Sequence, residues 1–258
     1  MQRENRFERM RPGELEALME ERPLAWIPVG TLEWHGRHLP VGLDAIKAHE
    51  LCIRAARIAG GAVLPADFFS RDGMLFPWTF RYPPDILARS VFRTLWKLED
   101  YGFRAMFIVT GHYPVSQVAT LIGVAHTFMA VRRSAVVAMP EFFAARDDYH
   151  GDHAAKWETS IMMELFPDLV EYGELDSLDG DRPWGLFRKG VQGVNPGSEA
   201  SRDTGREVVN EMVQNMAGHA AALLGKNGRR EAAWIHARGA AGFLRGKATE
   251  GMKAIGLY

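Results

Sequence analysis

At 258 residues, with 47% hydrophobic and 24% charged side chains, the chain can bury one large core and reads as an ordinary globular protein. Lys+Arg 31 against Asp+Glu 32 gives a net charge of -1, which excludes the basic footprint of a nucleic-acid or anionic-membrane binder and leaves a small molecule as the expected partner. The single cysteine, Cys52, excludes an internal disulfide and any thiolate zinc cluster, so a metal would have to be held by His, Asp and Glu.

The first stretch, MQRENRFERMRPGELEALMEE, is charged throughout and lacks the apolar centre of a signal peptide. No apolar run in the chain is long enough to span a bilayer, so the expected location is cytoplasmic. Pro12-Gly13 leads into a short helix, and Leu24 to Val29 reads as a buried strand ending at Gly30. GTLEWHGRHLPVGLD follows, residues 30 to 44, with a glutamate, two histidines and an aspartate. Asp44 to Ile58 has helical spacing and stops at Gly60-Gly61; Val63 to Phe69 is the next expected strand. After the loop SRDGMLFPWTFRYPPD, Ile86 to Tyr101 reads as a helix closed by Gly102.

Ala105 to Val109 is a strand that ends in Thr110-Gly111-His112, Val115 to Arg133 a helix, and Ala135 to Met139 a further strand. The order β-α-β-α-β-α-β predicts an α/β fold, with a mostly parallel central sheet and helices on both faces. In such sheets ligands bind outside the carboxyl ends of the strands, where the loops of Glu33 and His35 and of His112 both emerge. A third polar cluster, Tyr149-His150-Gly151-Asp152-His153, precedes Trp157-Glu158-Thr159-Ser160, the opening of a helix running to about Phe166. Beyond Pro167 the chain is loop-like through GVQGVNPGSEASRDTG, then helical from about Thr204 to Leu224. Residues 226 to 258 form a tail with an expected helix around Glu231 to Leu244, and no linker divides the single domain expected over residues 1 to 258.

Glu33 and His35 are two apart, so in extended backbone both side chains leave on the same side. Asp44 stands at the expected N-cap of its helix, where its carboxylate could bond backbone amides or a metal. Imidazoles and carboxylates without thiolate suit Zn, Mn or Fe, and a bridging carboxylate favours a pair of ions. Spacing alone leaves a second reading open: Glu-x-His after a strand arises by chance, Asp44 can be only a cap, and His38 can lie on the surface. His49, His126, His219 and His236 fall on expected helices away from the strand ends and are assigned no chemistry.

GTLEWHGRHLPVGLD resembles the signature of the creatininase family, creatinine amidohydrolase and its relatives, which runs roughly G-S-x-E-Q-H-G-P-H-L-P-x-x-x-D. TGHYPVSQ is similar to the family's N-G-H-Y-E-N or N-G-H-G-G-N segment, HAAKWETSIMME to its H-A-G-E-x-E-T-S helix, and GVNPGSEASRDTG to its G-x-P-x-x-A-T-x-E-x-G stretch. Ser70 and Phe76-Pro77-x-Thr79 fall where the family has a Ser and an F-P-G-T turn. Together these cover residues 24 to about 215 in the family's order.

The resemblance implies a three-layer creatininase-like fold, a homo-oligomer (a hexamer if creatininase-like), and two divalent metal ions at the carboxyl edge of the sheet. By position, Glu33 and His112 would bind one ion, His35 the other, and Asp44 would bridge them. His153 matches the histidine that transfers protons beside the substrate. Ser70 and Tyr113 would contact substrate, with Tyr149 and His150 on the covering loop. The implied reaction is hydrolysis of a C–N bond in a cyclic amide, formamide or related small compound by a metal-held hydroxide; the family also holds deformylases of pyrimidine intermediates and peptidases that trim cofactor precursors.

The departures define what differs. In creatininase itself the residue two after the GHY histidine is a ligating glutamate; here it is Pro114, which has no donor atom. Glu158 is the candidate replacement, as the fifth ligand and catalytic participant or as a partner that orients a ligand. Arg37, Trp78 and Lys156 replace a proline, a glycine and an acidic residue, either in substrate contact or as solvated and packing positions. The competing reading is a catalytically impaired metal- or ligand-binding member of the same fold.

Overall fold

The unbroken apolar runs become parallel strands buried on both faces, which is why they do not alternate in polarity. In chain order the computed structural model contains α1 (Pro12–Glu21), β1 (Leu24–Val29), α2 (Leu43–Ala59), β2 (Ala62–Val63), α3 (Pro84–Tyr101), β3 (Ala105–Thr110), α4 (Val115–Val131) and β4 (Ala135–Pro140). Then come α5 (Lys156–Leu165), three short helices, α6 (Tyr172–Asp176), α7 (Pro183–Arg188) and α8 (Pro196–Glu199), and the long α9 (Arg202–Leu223). The structure describes residues 4–145, 149 and 151–239.

The sheet order is β2-β1-β3-β4, with every pairing parallel. Helices flank it in two packed groups. One consists of α2, α5 and α9, with α2 against β1, β2 and β3; the other is α3 with α4, the latter against β4. The core between them is filled by side chains such as Trp26 and Phe107, whose ring centroids lie 5.0 Å apart, and Phe92 and Phe128, which meet edge to face at 5.8 Å.

Two features of the sheet position the site. Val29 pairs with Thr110 and Thr110 with Pro140, so β1, β3 and β4 end at one level and Gly30, Gly111 and Glu141 emerge side by side. From β1 the chain crosses to β2 on one side and then returns to β3 on the other. The loops after β1 and β3 therefore diverge, opening the crevice where doubly wound sheets bind ligands.

The strand expected over Val63 to Phe69 is shorter, because Pro65 has no N–H to give to a ladder. The segment still follows β1: Leu64 N–H donates to the Trp26 carbonyl at 2.9 Å and Asp67 N–H to the Pro28 carbonyl at 3.0 Å. The helix expected around Glu231 to Leu244 is helical over 228–239, and its remainder lies outside the described residues. It is pinned by buried His236, whose Nε2 accepts the Ala138 N–H at 2.9 Å and whose Nδ1 lies 3.0 Å from His126 Nε2. Among the described residues no helix is long and apolar enough to cross a membrane.

Candidate metal centre

The start of α2 is wedged against the ends of β1 and β3. A Cβ on Gly30 would overlap the backbone of Ala45, and one on Gly111 would overlap the carbonyl of Asp44. Glycine at both strand ends thus brings the first turn of α2 into the crevice. Asp44 is not the N-cap that the sequence suggests: Gly42 holds that position and Asp44 lies one residue inside the helix, making no capping bond. Its carboxylate turns into the crevice instead.

There Asp44 is divided between two groups. Its Oδ2 lies 3.0 Å from His112 Nδ1, which is also 3.0 Å from Glu33 Oε2. Its Oδ1 lies 3.2 Å from His35 Nε2, which is 3.6 Å from Glu158 Oε2. Glu33, Asp44 and His112 form one triad of converging donor atoms, and His35, Asp44 and Glu158 a second. All five side chains are buried. The structure thus brings Glu158 from α5 onto the His35 side of the site, while Pro114 serves as the N-cap residue of α4 and offers no ligand.

The donor set fits divalent cations. His35 Nδ1 lies 3.0 Å from the Glu33 carbonyl, which fixes a proton on that nitrogen and leaves the Nε2 lone pair facing the triad. His35 Nε2 and Glu33 Oε2 are buried without a hydrogen bond, although each is within ion-pair distance of its neighbours. Lone pairs that converge with too few protons between them are satisfied by a shared cation. The charge balance agrees. Burial pulls both imidazoles down, but Asp44 and the neighbouring glutamates outweigh it, lifting His35 to about 9 and His112 to about 10. Burial alone would push Asp44 and Glu33 up, yet His35 and His112 hold the Asp44 carboxyl, and His112 and His153 the Glu33 carboxyl, below their ordinary values.

His153 sits beside this cluster, its ring 4.3 Å from that of His35 and its Nε2 2.8 Å from the Trp34 carbonyl. The carbonyl can only accept, so Nε2 carries the proton and donates it in this bond, and in the neutral ring Nδ1 has the lone pair. Burial, and then the neighbouring His35, lower the His153 pKa, keeping the ring neutral and basic near pH 7. Glu33 Oε1 accepts the Met74 N–H at 2.5 Å, tying the loop after β2 over the site.

The remaining described candidates lie around this cluster, some at the site's scaffold and some at the surface. Ser70 is buried and donates to Thr31 Oγ1, within the scaffold of the loop. Tyr113 and Tyr149, expected to face substrate, turn their hydroxyls inward to each other, 3.1 Å apart, and Tyr113 donates to Glu141. His150 lies outside the described residues. His38 reaches Thr159 Oγ1 at 3.1 Å, beside Glu158, and burial lowers its pKa to about 4. Arg37 and Lys156 turn toward Glu174 and Glu199, each at 4.0 Å, and Trp78 is 70% exposed.

Three residues in the surroundings were given no role from the sequence. Lys47 and Glu141 are buried and paired at 2.8 Å. Asp152 accepts the Trp157 N–H at 2.8 Å and the Glu158 N–H at 3.2 Å, holding the first turn of α5; burial and then Glu158 raise its carboxyl to about 7. The available signals were Lys47 three residues after Asp44, on the same face of a helix, and Glu141 directly after a strand at the active edge.

Comparison with known proteins decides the family. Residues 8–219 match the sequence profile of Creatininase, described as creatinine amidohydrolase. The chain belongs to the creatininase family. A curated creatinine amidohydrolase of Pseudomonas putida is 28% identical over 172 residues, 56% of this chain and 65% of that protein's length. The sequence match therefore spans a little less than two thirds of that relative. Among solved structures, a creatinine amidohydrolase (creatininase) superposes with a TM-score of 0.71 at 21% identity, over 83% of this chain and 95% of the other. A creatininase in its Mn form scores 0.69 at 22% identity over 84% and 97%, and a mutant creatininase of Zn-Zn type 0.67 at 21% over 84% and 96%. The creatininase fold is thereby shared along nearly the whole of those chains.

Proposed function

We propose that this protein is a metal-dependent amidohydrolase that cleaves a C–N bond in a small cyclic amide, formamide or related compound. The observation that carries this reading is the Asp44 carboxylate, which gives one oxygen to the Glu33 and His112 group and the other to the His35 and Glu158 group. Two divalent ions, Zn or Mn with Fe also compatible with the donor set, would be held by these five residues. Bound there, they would polarise an amide carbonyl and acidify a water near neutral pH.

The chain's own contribution is orientation and proton movement. The Glu33 carbonyl fixes the His35 tautomer, and the Met74 N–H holds one oxygen of Glu33 while the other faces His112. His153 Nδ1 is the free base beside the cluster, suited to take a proton and return it to the leaving nitrogen. Solved creatininases in Mn and Zn-Zn form support the choice of metals, and a creatinine amidohydrolase among the structural relatives supports the amide chemistry.

Pro114 motivates the second reading, a member of the fold that binds metal or ligand without turnover. A screen of lactams, formamides and acyclic amides with Mn or Zn restored to metal-stripped protein separates the two. Hydrolysis of any of these, retained metal and at least a hundredfold lower turnover in His153→Ala support the hydrolase. Full metal binding with no hydrolysis of any compound supports the binding protein.

A further inference from the structure

The buried lysine beside the site has no role in the chemistry described so far. Lys47 lies three residues after Asp44 on α2, so both project from the same helix face into the crevice. Its ammonium is fully buried and reaches three acceptors: Glu158 Oε1 at 2.6 Å, Glu141 Oε1 at 2.8 Å and the Tyr113 hydroxyl at 2.5 Å. These use all three of its N–H bonds. The Tyr113 hydroxyl in turn donates a hydrogen bond to Glu141, so the ammonium is anchored from the loop after β3 and from the end of β4.

The result for Glu158 is a carboxylate pinned at both oxygens. Lys47 holds Oε1, while Oε2 accepts the Ala154 N–H at 2.8 Å and faces His35 Nε2 at 3.6 Å. A carboxylate so held offers a single oxygen, in a single direction, to the His35 and Asp44 group. We infer that Lys47 is a positioning residue, whose ammonium orients Glu158 as the ligand that replaces the glutamate missing at Pro114. The inference rests on the two-ion reading of the site. It assigns Lys47 to one ion only, because its hydrogen bonds and ion pairs go to Glu158, Glu141 and Tyr113 and not to Glu33 or His112.

Positioning and simple electrostatics predict opposite signs. Removing a buried cation next to a metal site should tighten ion binding by charge alone, whereas releasing Glu158 should weaken it at the site that Glu158 completes. The test is stepwise binding of Mn or Zn to metal-stripped wild type, Lys47→Met and Glu141→Gln, read by calorimetry and metal analysis, without an activity assay. In Lys47→Met one of the two ions should lose about 10- to 100-fold in affinity, the range for removing a group that orients a ligand, with the other within about threefold of wild type. In Glu141→Gln, which leaves the Lys47 bond to Glu158, both affinities should stay within about threefold.

Where Lys47→Met does not fold, Lys47→Met combined with Glu141→Gln removes the buried ion pair as a unit and should give the same split. Unchanged or tighter binding of both ions in these variants overturns the assignment, as does an equal loss at both. A split of equal size in Glu141→Gln overturns it as well, since the role would then belong to Glu141. Wild-type protein that takes up fewer than two ions overturns the two-ion reading itself and is recognised before any variant is measured.

Discussion

Loading the site with metal should expel protons, and the number should depend on pH in a way set by His35 and His112. In the metal-free protein burial opposes the charged imidazoles, but Asp44 and the glutamates win, giving values of about 9 and about 10. At pH 7 both rings carry a proton that a metal must displace, since only the neutral ring is a ligand. Two protons per chain, about 1.0 from each histidine, should therefore be released at pH 7. As pH rises through these values the rings lose their protons before metal arrives, so the histidine contribution falls below two by pH 9.5. Calorimetric titration with Zn or Mn in buffers of different ionisation enthalpy measures the difference between the two pH values. A release that does not change between pH 7 and 9.5 would refute the assignment of these histidines as ligands. The same linkage acts on the metal-free fold: raised values mean that the stability from the two imidazoliums is full below their ordinary 6.5 and is lost as pH rises through about 9 and 10.

Further consequences follow from the packing. Gly111→Ala places a methyl on the Asp44 carbonyl and must push α2 back; overpacking of this kind costs about 1–3 kcal/mol, a Tm decrease of roughly 2–10 °C, and should weaken binding of both ions together. A variant with wild-type Tm and ion affinity would show that the close approach is not needed. His236 titrates in the opposite sense to His35: burial and His126 depress it to about 4, so its neutral form stabilises the fold fully above 6.5 and that contribution fades as pH falls from 6.5 to 4. Up to about 3 kcal/mol is at stake. Amide exchange in residues 228–239 should accelerate between pH 7 and 5, beyond the intrinsic change, in wild type but not in His236→Gln, whose amide oxygen can still accept the Ala138 N–H. Equal behaviour of the two proteins would remove His236 as the cause.

Much of the site could be read from the chain because its ligands follow strand ends directly. Glu33, His35 and His112 each lie within a few residues of an apolar run that parallel packing buries on both faces, and the sheet edge then gathers them. Spacing left Asp44 open as a cap or a metal ligand, and only the family resemblance gave it the bridging position between two groups that the structure shows. A carboxylate at a helix start reads as a cap, and only the contact of Gly30 and Gly111 with α2 turns it toward the histidines. Lys47 carried only a weak signal, its place one turn after Asp44, since a lysine on an amphipathic helix is ordinarily a solvated residue. Its burial depends on Glu141 and Glu158, which the fold brings from the end of β4 and from α5. The inward turn of Tyr113 and Tyr149 has the same origin, as their hydroxyls complete the shell around that ion pair. β2 ended early for a local reason, the missing N–H of Pro65, which a pattern of apolar residues does not reveal.

The central claim is that one carboxylate serves two ions. Equilibrium dialysis of metal-stripped protein against Mn or Zn, followed by elemental analysis, tests it most directly when wild type and Asp44→Asn are run side by side. The account predicts two ions per chain in wild type and loss of both affinities together in Asp44→Asn, because Asp44 Oδ1 and Oδ2 face the two groups separately. Two ions retained at wild-type affinity in Asp44→Asn, or none bound by wild type, would contradict it.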